Sequence, residues 1–147
     1  MATNVSKQQL EAEAQSLQAY ANEYAQQFEM MNQQLRFIET ARAEALASID
    51  ALEAFNAAEE GVTTLLTLGG GVSVRAQVVD TKKVLVGLGA GITVEKSAED
   101  AVSFLKDRIT EMDASAKRLT ESIGKLGEQM QAVDKRMQEI SRLYSGQ

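Results

Sequence analysis

Residues 62–96 read VTTLLTLGGGVSVRAQVVDTKKVLVGLGAGITVEK, and the arrangement of the whole chain turns on this stretch. Four runs rich in Val, Leu and Thr are separated by GGG, DTK and GAG, the composition and punctuation of short strands joined by tight turns. Along VSVRAQVV, residues Val72, Val74, Ala76 and Val78 fall on one face, and Ser73, Arg75 and Gln77 fall on the other. That alternation belongs to an antiparallel strand with one covered face. Asp80-Thr81-Lys82 is expected to form a tight turn, and the four strands make two hairpins. Isolated hairpins are marginal in water and expose unpaired edges, so the segment is expected to pair with other subunits.

Working outward, seven of the ten glycines lie between Gly61 and Gly91, which leaves two long glycine-poor flanks. In the first, small or apolar residues recur in alternating steps of four and three: Leu10, Ala14, Leu17, Ala21, Tyr24, Phe28, Met31, Leu35, Ile38, Ala45, Ile49 and Leu52. Arg42 is the single break in that seam. Ser6 and Gln9 are spaced for a capping box at its start. Gly61 is placed to end the helix as its left-handed residue, giving roughly 55 residues and ~80 Å.

In the second flank Ser97 caps a helix with Glu99 and Asp100 in its first turn. The seam then runs unbroken through Val102, Leu105, Ile109, Met112, Ala116, Leu119, Ile123, Leu126, Met130, Val133, Met137, Ile140 and Tyr144. A strict seven-residue repeat of this length implies left-handed supercoiling. Gly124 and Gly127 weaken the helix by roughly 1 kcal/mol each but lie off the seam.

Short connections favour neighbours lying side by side, so the two helices fold back as an antiparallel coiled coil. The fold class is α+β: a long antiparallel two-helix coiled coil joined by two β-hairpins. One domain is expected over 1–147, with helix 1 at 6–60, the hairpins at 61–96 and helix 2 at 97–145. Helix 1 is expected to overhang helix 2, leaving Leu10 with little seam partner. Val5, Leu10, Leu143 and Tyr144 would then gather at a solvent-facing tip. Tyr20, Met30, Phe37, Leu46, Phe55 and Phe104 lie off the seam. Phe55 and Phe104 are expected near each other at the β-rich base.

The chain has no Cys, His, Pro or Trp. That removes Cys and His zinc sites, Cys and His nucleophiles, a Ser-His-Asp triad and haem ligation. The missing proline suits long helices. A net charge of −6 argues against partners bound through nucleic-acid phosphates or anionic lipid heads. No apolar run approaches a membrane span, and the first ten residues lack a signal-peptide layout. A cytosolic address is expected. GLGAG has the wrong spacing for a dinucleotide fingerprint, and Gly124-Lys125 lacks the rest of a phosphate loop. Neither a cofactor nor an enzymatic activity is expected. Residues 1–60 carry ten acids against three bases, which makes helix 1 the acidic arm.

The layout of heptad helix, two hairpins and heptad helix, with Leu68-Gly69-Gly70-Gly71-Val72 and residues 84–96, VLVGLGAGITVEK, resembles the α class of prefoldin over nearly the whole chain. The resemblance implies an ATP-independent cochaperone of archaea and eukaryotes. Two α-class and four β-class subunits would build a β-barrel platform carrying six coiled-coil tentacles. It places Val5, Leu10, Leu17, Met137, Ile140, Leu143 and Tyr144 in the distal, client-binding region. Val72, Val74, Val78, Val84, Val86 and Leu88 fall in the oligomeric platform. The implied partners are β-class subunits, unfolded polypeptides and a group II chaperonin that receives the clients. The competing expectation is a structural prefoldin-like scaffold that polymerises through its strands into filaments.

Overall fold

The computed structural model describes residues 6–146. In chain order the elements are α1 (Lys7–Ala57), β1 (Thr63–Gly69), β2 (Val72–Gln77), β3 (Lys83–Gly89), β4 (Ile92–Ser97) and α2 (Ala98–Ser145). Both helix starts follow from their side chains. The Gln9 amide donates to Ser6 Oγ at 3.3 Å and the Ser6 amide donates to Gln9 Oε1 at 3.0 Å, the reciprocal capping box. At α2 the Asp100 amide donates to Ser97 Oγ at 3.1 Å, so the last residue of β4 caps the helix that follows it.

The strands form two separate antiparallel pairs, β1 with β2 and β3 with β4. The second pair repeats the first twenty residues on: Leu65 faces Arg75 and Leu66 faces Val74, as Leu85 faces Glu95 and Val86 faces Val94. Each register shifts by one residue at Gly69 or Gly89, whose φ values of 101° and 100° only glycine adopts readily. The next two residues, Gly70-Gly71 and Ala90-Gly91, also have positive φ, as the tightest hairpin turns require. Ala90 is the one non-glycine with positive φ among the described residues.

Two expectations are corrected here. Helix α1 stops at Ala57, and Gly61 does not cap it. The Gly61 amide donates to the Val78 carbonyl at 2.9 Å, and the Val78 amide donates to the Val62 carbonyl at 3.0 Å. Cross-strand pairing thus claims the donor that a helix cap would have used. Carbonyls at the end of α1 are met from elsewhere: buried Thr81 donates to Ala58 O at 3.4 Å, and the Lys82 ammonium reaches Asn56 O. Asp80-Thr81-Lys82 turns tightly as expected and joins the two sheets. Its Asp80 carboxylate accepts the amides of Lys82 at 2.9 Å and Lys83 at 3.1 Å. Those bonds hold the Asp80 carboxyl below the usual range. Strand β2 ends at Gln77, so Val78 lies just past it.

The chain divides into two compact units. Unit 2, Thr40–Asp113, contains both hairpins and the helix segments beside them. Its core is Ala45, Ile49 and Ile109, with Val102 and Leu105 packed on them. Arg42, the polar break in the seam, donates to Asp113 Oδ1 at 2.6 Å on the opposite helix. A charge at a seam position is tolerated when a carboxylate meets it at the rim.

Unit 1 comprises Met1–Glu39 and Ala114–Gln147. Among its described residues every seam position is buried or half-buried except Tyr144. Leu10, Leu126 and Ile140 are the most enclosed. Gly124 and Gly127 remain inside an unbroken α2. In both units the cross-helix pairs run antiparallel: Glu13 with Arg136 and Glu11 with Tyr144 in unit 1, Arg42 with Asp113 in unit 2.

Candidate functional site

Two surfaces carry the candidate residues. On the hairpins, the alternation read from the sequence gives one apolar face, but within the chain that face is largely uncovered. Val72, Val74 and Leu88 are exposed, as are Leu66, Leu68 and Ile92 on the same faces. Val78, Val84 and Val86 are half-buried. The expectation of a half-buried strand face therefore holds only toward Ala76 and Val78, because each sheet has only two strands and the helices cover only part of the hairpins' apolar surface. The three half-buried valines line a cleft of about 660 Å³ with Leu52, Phe55 and Leu105. Phe104 also lines it, with the Lys96 ammonium 5.7 Å and the Arg108 guanidinium 5.8 Å from its ring centre. Phe55 and Phe104 thus share one cleft at the β-rich base.

The distal surface differs from its expectation more sharply. Val5 lies outside the described residues. Leu10 is only 2% exposed and Ile140 6%, Leu17 and Met137 are half-buried, and only Leu143 and Tyr144 are exposed. Leu10 does not overhang. Helix α1 has 51 residues and α2 has 48, and α2 reaches Ser145, so Leu10 is enclosed by the seam.

A polar clasp joins the helix ends. Arg136 Nε donates to Glu13 Oε1 at 2.6 Å and a terminal nitrogen donates to Glu13 Oε2 at 3.0 Å, the forked geometry that suits guanidinium and carboxylate. Its other terminal nitrogen donates to Glu139 at 3.1 Å. The Tyr144 hydroxyl donates to Glu11 Oε1 at 2.9 Å, and the Lys7 ammonium lies 5.2 Å from the Tyr144 ring centre. The bond from Arg136 holds the Glu13 carboxyl below its usual range, and the bond to Glu11 pushes the Tyr144 hydroxyl up. The sequence reading missed this clasp. Its signal was present: Glu13 and Arg136 each sit one residue before a seam position, where opposite charges bridge coiled-coil helices.

Along α1, Tyr20, Met30 and Phe37 are exposed, Phe37 at 76%, and Tyr20 stacks on Tyr24 at 6.2 Å. Leu46 is exposed in unit 2. Among the described residues there is no grouping of carboxylates suited to hold a metal, and no helix is long and apolar enough to cross a membrane.

Comparison with known proteins fits this geometry. A family profile described as "Prefoldin subunit" matches residues 24–143. The prefoldin subunit alpha of Methanocorpusculum labreanum is 69% identical over 140 residues, covering 95% of each chain. The chain belongs to the α class of prefoldin subunits. Prefoldin subunit alpha of Methanoregula boonei is 46% identical, covering 91% of this chain and 87% of that one. The Pyrococcus horikoshii prefoldin subunit alpha is 30% identical, covering 97% and 92%. A filamentous prefoldin from Methanocaldococcus jannaschii, solved by cryo-electron microscopy, superposes with a TM-score of 0.69 at 22% identity, covering 80% of this chain and 97% of that one. The prefoldin beta subunit from Thermococcus strain KS-1 gives 0.56 at 18% identity, covering 92% and 94%. These two likenesses speak to the fold. Membership in the prefoldin family makes the chain a chaperone subunit, and the family forms oligomers with other prefoldin subunits.

Proposed function

We propose that this chain, as one domain over 1–147, is the α-class subunit of a heterohexameric holdase of two α and four β subunits. It captures non-native polypeptides in the cytoplasm without ATP or a cofactor and passes them to a group II chaperonin. One observation carries the reading: both hairpins leave much of an apolar face and their strand edges uncovered within the chain. Such edges and faces call for strands from other subunits. Val72, Val74, Val78, Val84, Val86 and Leu88 are the platform residues in this reading. In unit 1, Val5, Leu10, Leu17, Met137, Ile140, Leu143 and Tyr144 take the client in this reading. Several weak apolar tips on one platform raise avidity through effective concentration, so no deep pocket is needed.

Native mass spectrometry of the chain alone and mixed with a β-class subunit tests the assembly. A closed complex of two α and four β chains is expected, and a growing homopolymer indifferent to the β subunit would overturn it. For the tip, a photo-reactive side chain at position 143 is expected to cross-link a denatured client in the assembled complex without ATP. Leu143→Ser is expected to lower the amount of client held soluble. No cross-link and no loss of capture would overturn the tip assignment.

A further inference from the structure

The distal end hides the side chains it is assigned to use. Leu10 and Ile140 are almost fully enclosed, while the polar links beside them are more accessible: Glu11 and Tyr144 are exposed, and Glu13, Arg136 and Glu139 are half-buried. The two links differ from the seam in kind. Exposed ion pairs and hydrogen bonds are individually weak and reversible, and helix termini are where local opening concentrates.

We propose that this clasp is a gate on client capture. When Arg136 leaves Glu13 and Tyr144 leaves Glu11, the first turns of α1 and the last turns of α2 separate and Leu10 and Ile140 become available, with half-buried Leu17 and Met137 behind them. The proposal rests on the reading that the tip takes the client. Opening exchanges one apolar contact for another, so an apolar client segment can stabilise the open form that water alone does not. Only the open fraction binds, and the apparent affinity falls by that fraction. The closed clasp keeps the apolar tips from meeting each other, because contiguous exposed apolar surface invites association. The gate thus separates an idle tip from a loaded one without nucleotide.

The test uses complexes assembled with a β-class subunit. One variant carries Arg136→Gln with Glu11→Ala and loses both links. A second carries Glu13→Cys with Arg136→Cys, bridged by a short bismaleimide; the chain has no native cysteine, so the bridge is specific. The same pair alkylated singly is the unbridged control. Two quantities are read: amide exchange over residues 7–17 and 136–144, and the amount of denatured client held soluble. In the first variant both are expected to rise about two- to five-fold, the range that losing an exposed pair allows. The bridged pair is expected to lose capture that the unbridged pair keeps. Unchanged exchange, faster exchange without more capture, or a bridged pair that captures as well as its control would each overturn the gate. In that last case, client cross-linking at position 143 of the bridged complex would show that the tip reading survives while the gate does not.

Discussion

The heptad seam and the hairpins are patterned with equal regularity, one by threes and fours and the other by twos, yet only the seam is covered within the chain. Ile49 and Ile109 are buried by the opposite helix, whereas Leu66 and Val74, as well placed for a core, stand in water. The difference is one of inventory. Each seam has a complementary seam elsewhere in the same sequence, but the two hairpins share no ladder and much of their apolar surface has no second layer. A regular apolar pattern without an internal complement specifies something outside the chain. In the hairpins the twenty-residue repeat presents that demand twice.

The largest expected effect tests this directly. Ile49→Ala removes buried volume from the unit 2 core and should lower the unfolding free energy by about 2–4 kcal/mol, read by urea denaturation of the isolated chain. Leu66→Ser should change that quantity by no more than about 0.5 kcal/mol, because the side chain is already exposed. In return it should impair assembly with a β-class subunit, seen by native mass spectrometry. Equal losses of chain stability from the two substitutions would break the contrast between internal and external complements.

The same contrast explains what could be read in advance. The helices, the capping box at Ser6 and Gln9, the Ser97 cap and the two hairpins were legible because each is decided by residues close in sequence. The fate of Gly61 was not, since its amide bonds to Val78, seventeen residues on and just past β2. Nor was the role of Thr81 and Lys82 at the end of α1, which depends on where the turn between sheets comes to rest. At the distal end a few residues in helix length decided the outcome. Helices of nearly equal length bury Leu10, whereas a longer first helix would have stranded it.

Thr81 supplies the next effect in size. It is the one buried polar residue among those described, 1% exposed, and its hydroxyl serves Ala58 O. Thr81→Val keeps the shape and leaves that carbonyl without its donor, for an expected loss of about 1–2 kcal/mol. Because the contact ties a turn to a helix end, the loss should appear as faster amide exchange in the last turn of α1. Stability unchanged within error would show that the turn only happens to lie there.

Adding or removing one methyl group gives smaller effects of predictable sign. A Cβ at Gly124 meets nothing within 4 Å, so Gly124→Ala should stabilise α2 by roughly 0.5–1 kcal/mol. At Ala90, where φ is 52°, the side chain is the strained element. Ala90→Asn places the residue favoured before glycine in such turns and should stabilise the second hairpin by less than about 1 kcal/mol. Thermal denaturation of the two variants tests opposite rules for the two regions. A stabilising Gly70→Ala change would contradict the hairpin half, since Gly70 occupies the equivalent turn position with φ of 59°.

The distal clasp offers the gentlest probe, because its groups are exposed or half-buried and their effect is local. The folded Glu13 carboxyl sits below its ordinary range through Arg136, so its contribution is present above that range and is lost as pH falls through the lowered value. The Tyr144 hydroxyl is raised by Glu11, so its contribution is full below the ordinary tyrosine range and is lost as pH climbs through the raised value. The clasp should therefore hold at neutral pH and loosen at both extremes. In acid, exchange corrected for intrinsic rates should quicken at residues 7–17 while residues 45–52, beside the unit 2 core, stay protected. Arg136→Gln should abolish that acid dependence. On the alkaline side, phenolate absorbance compared with a Tyr144→Phe variant isolates the Tyr144 step, which Glu11→Ala should move to lower pH. Equal loosening of both regions in acid would show that Glu13 holds nothing in particular at the tip, because only the distal region places this ionised fork beside its buried leucine.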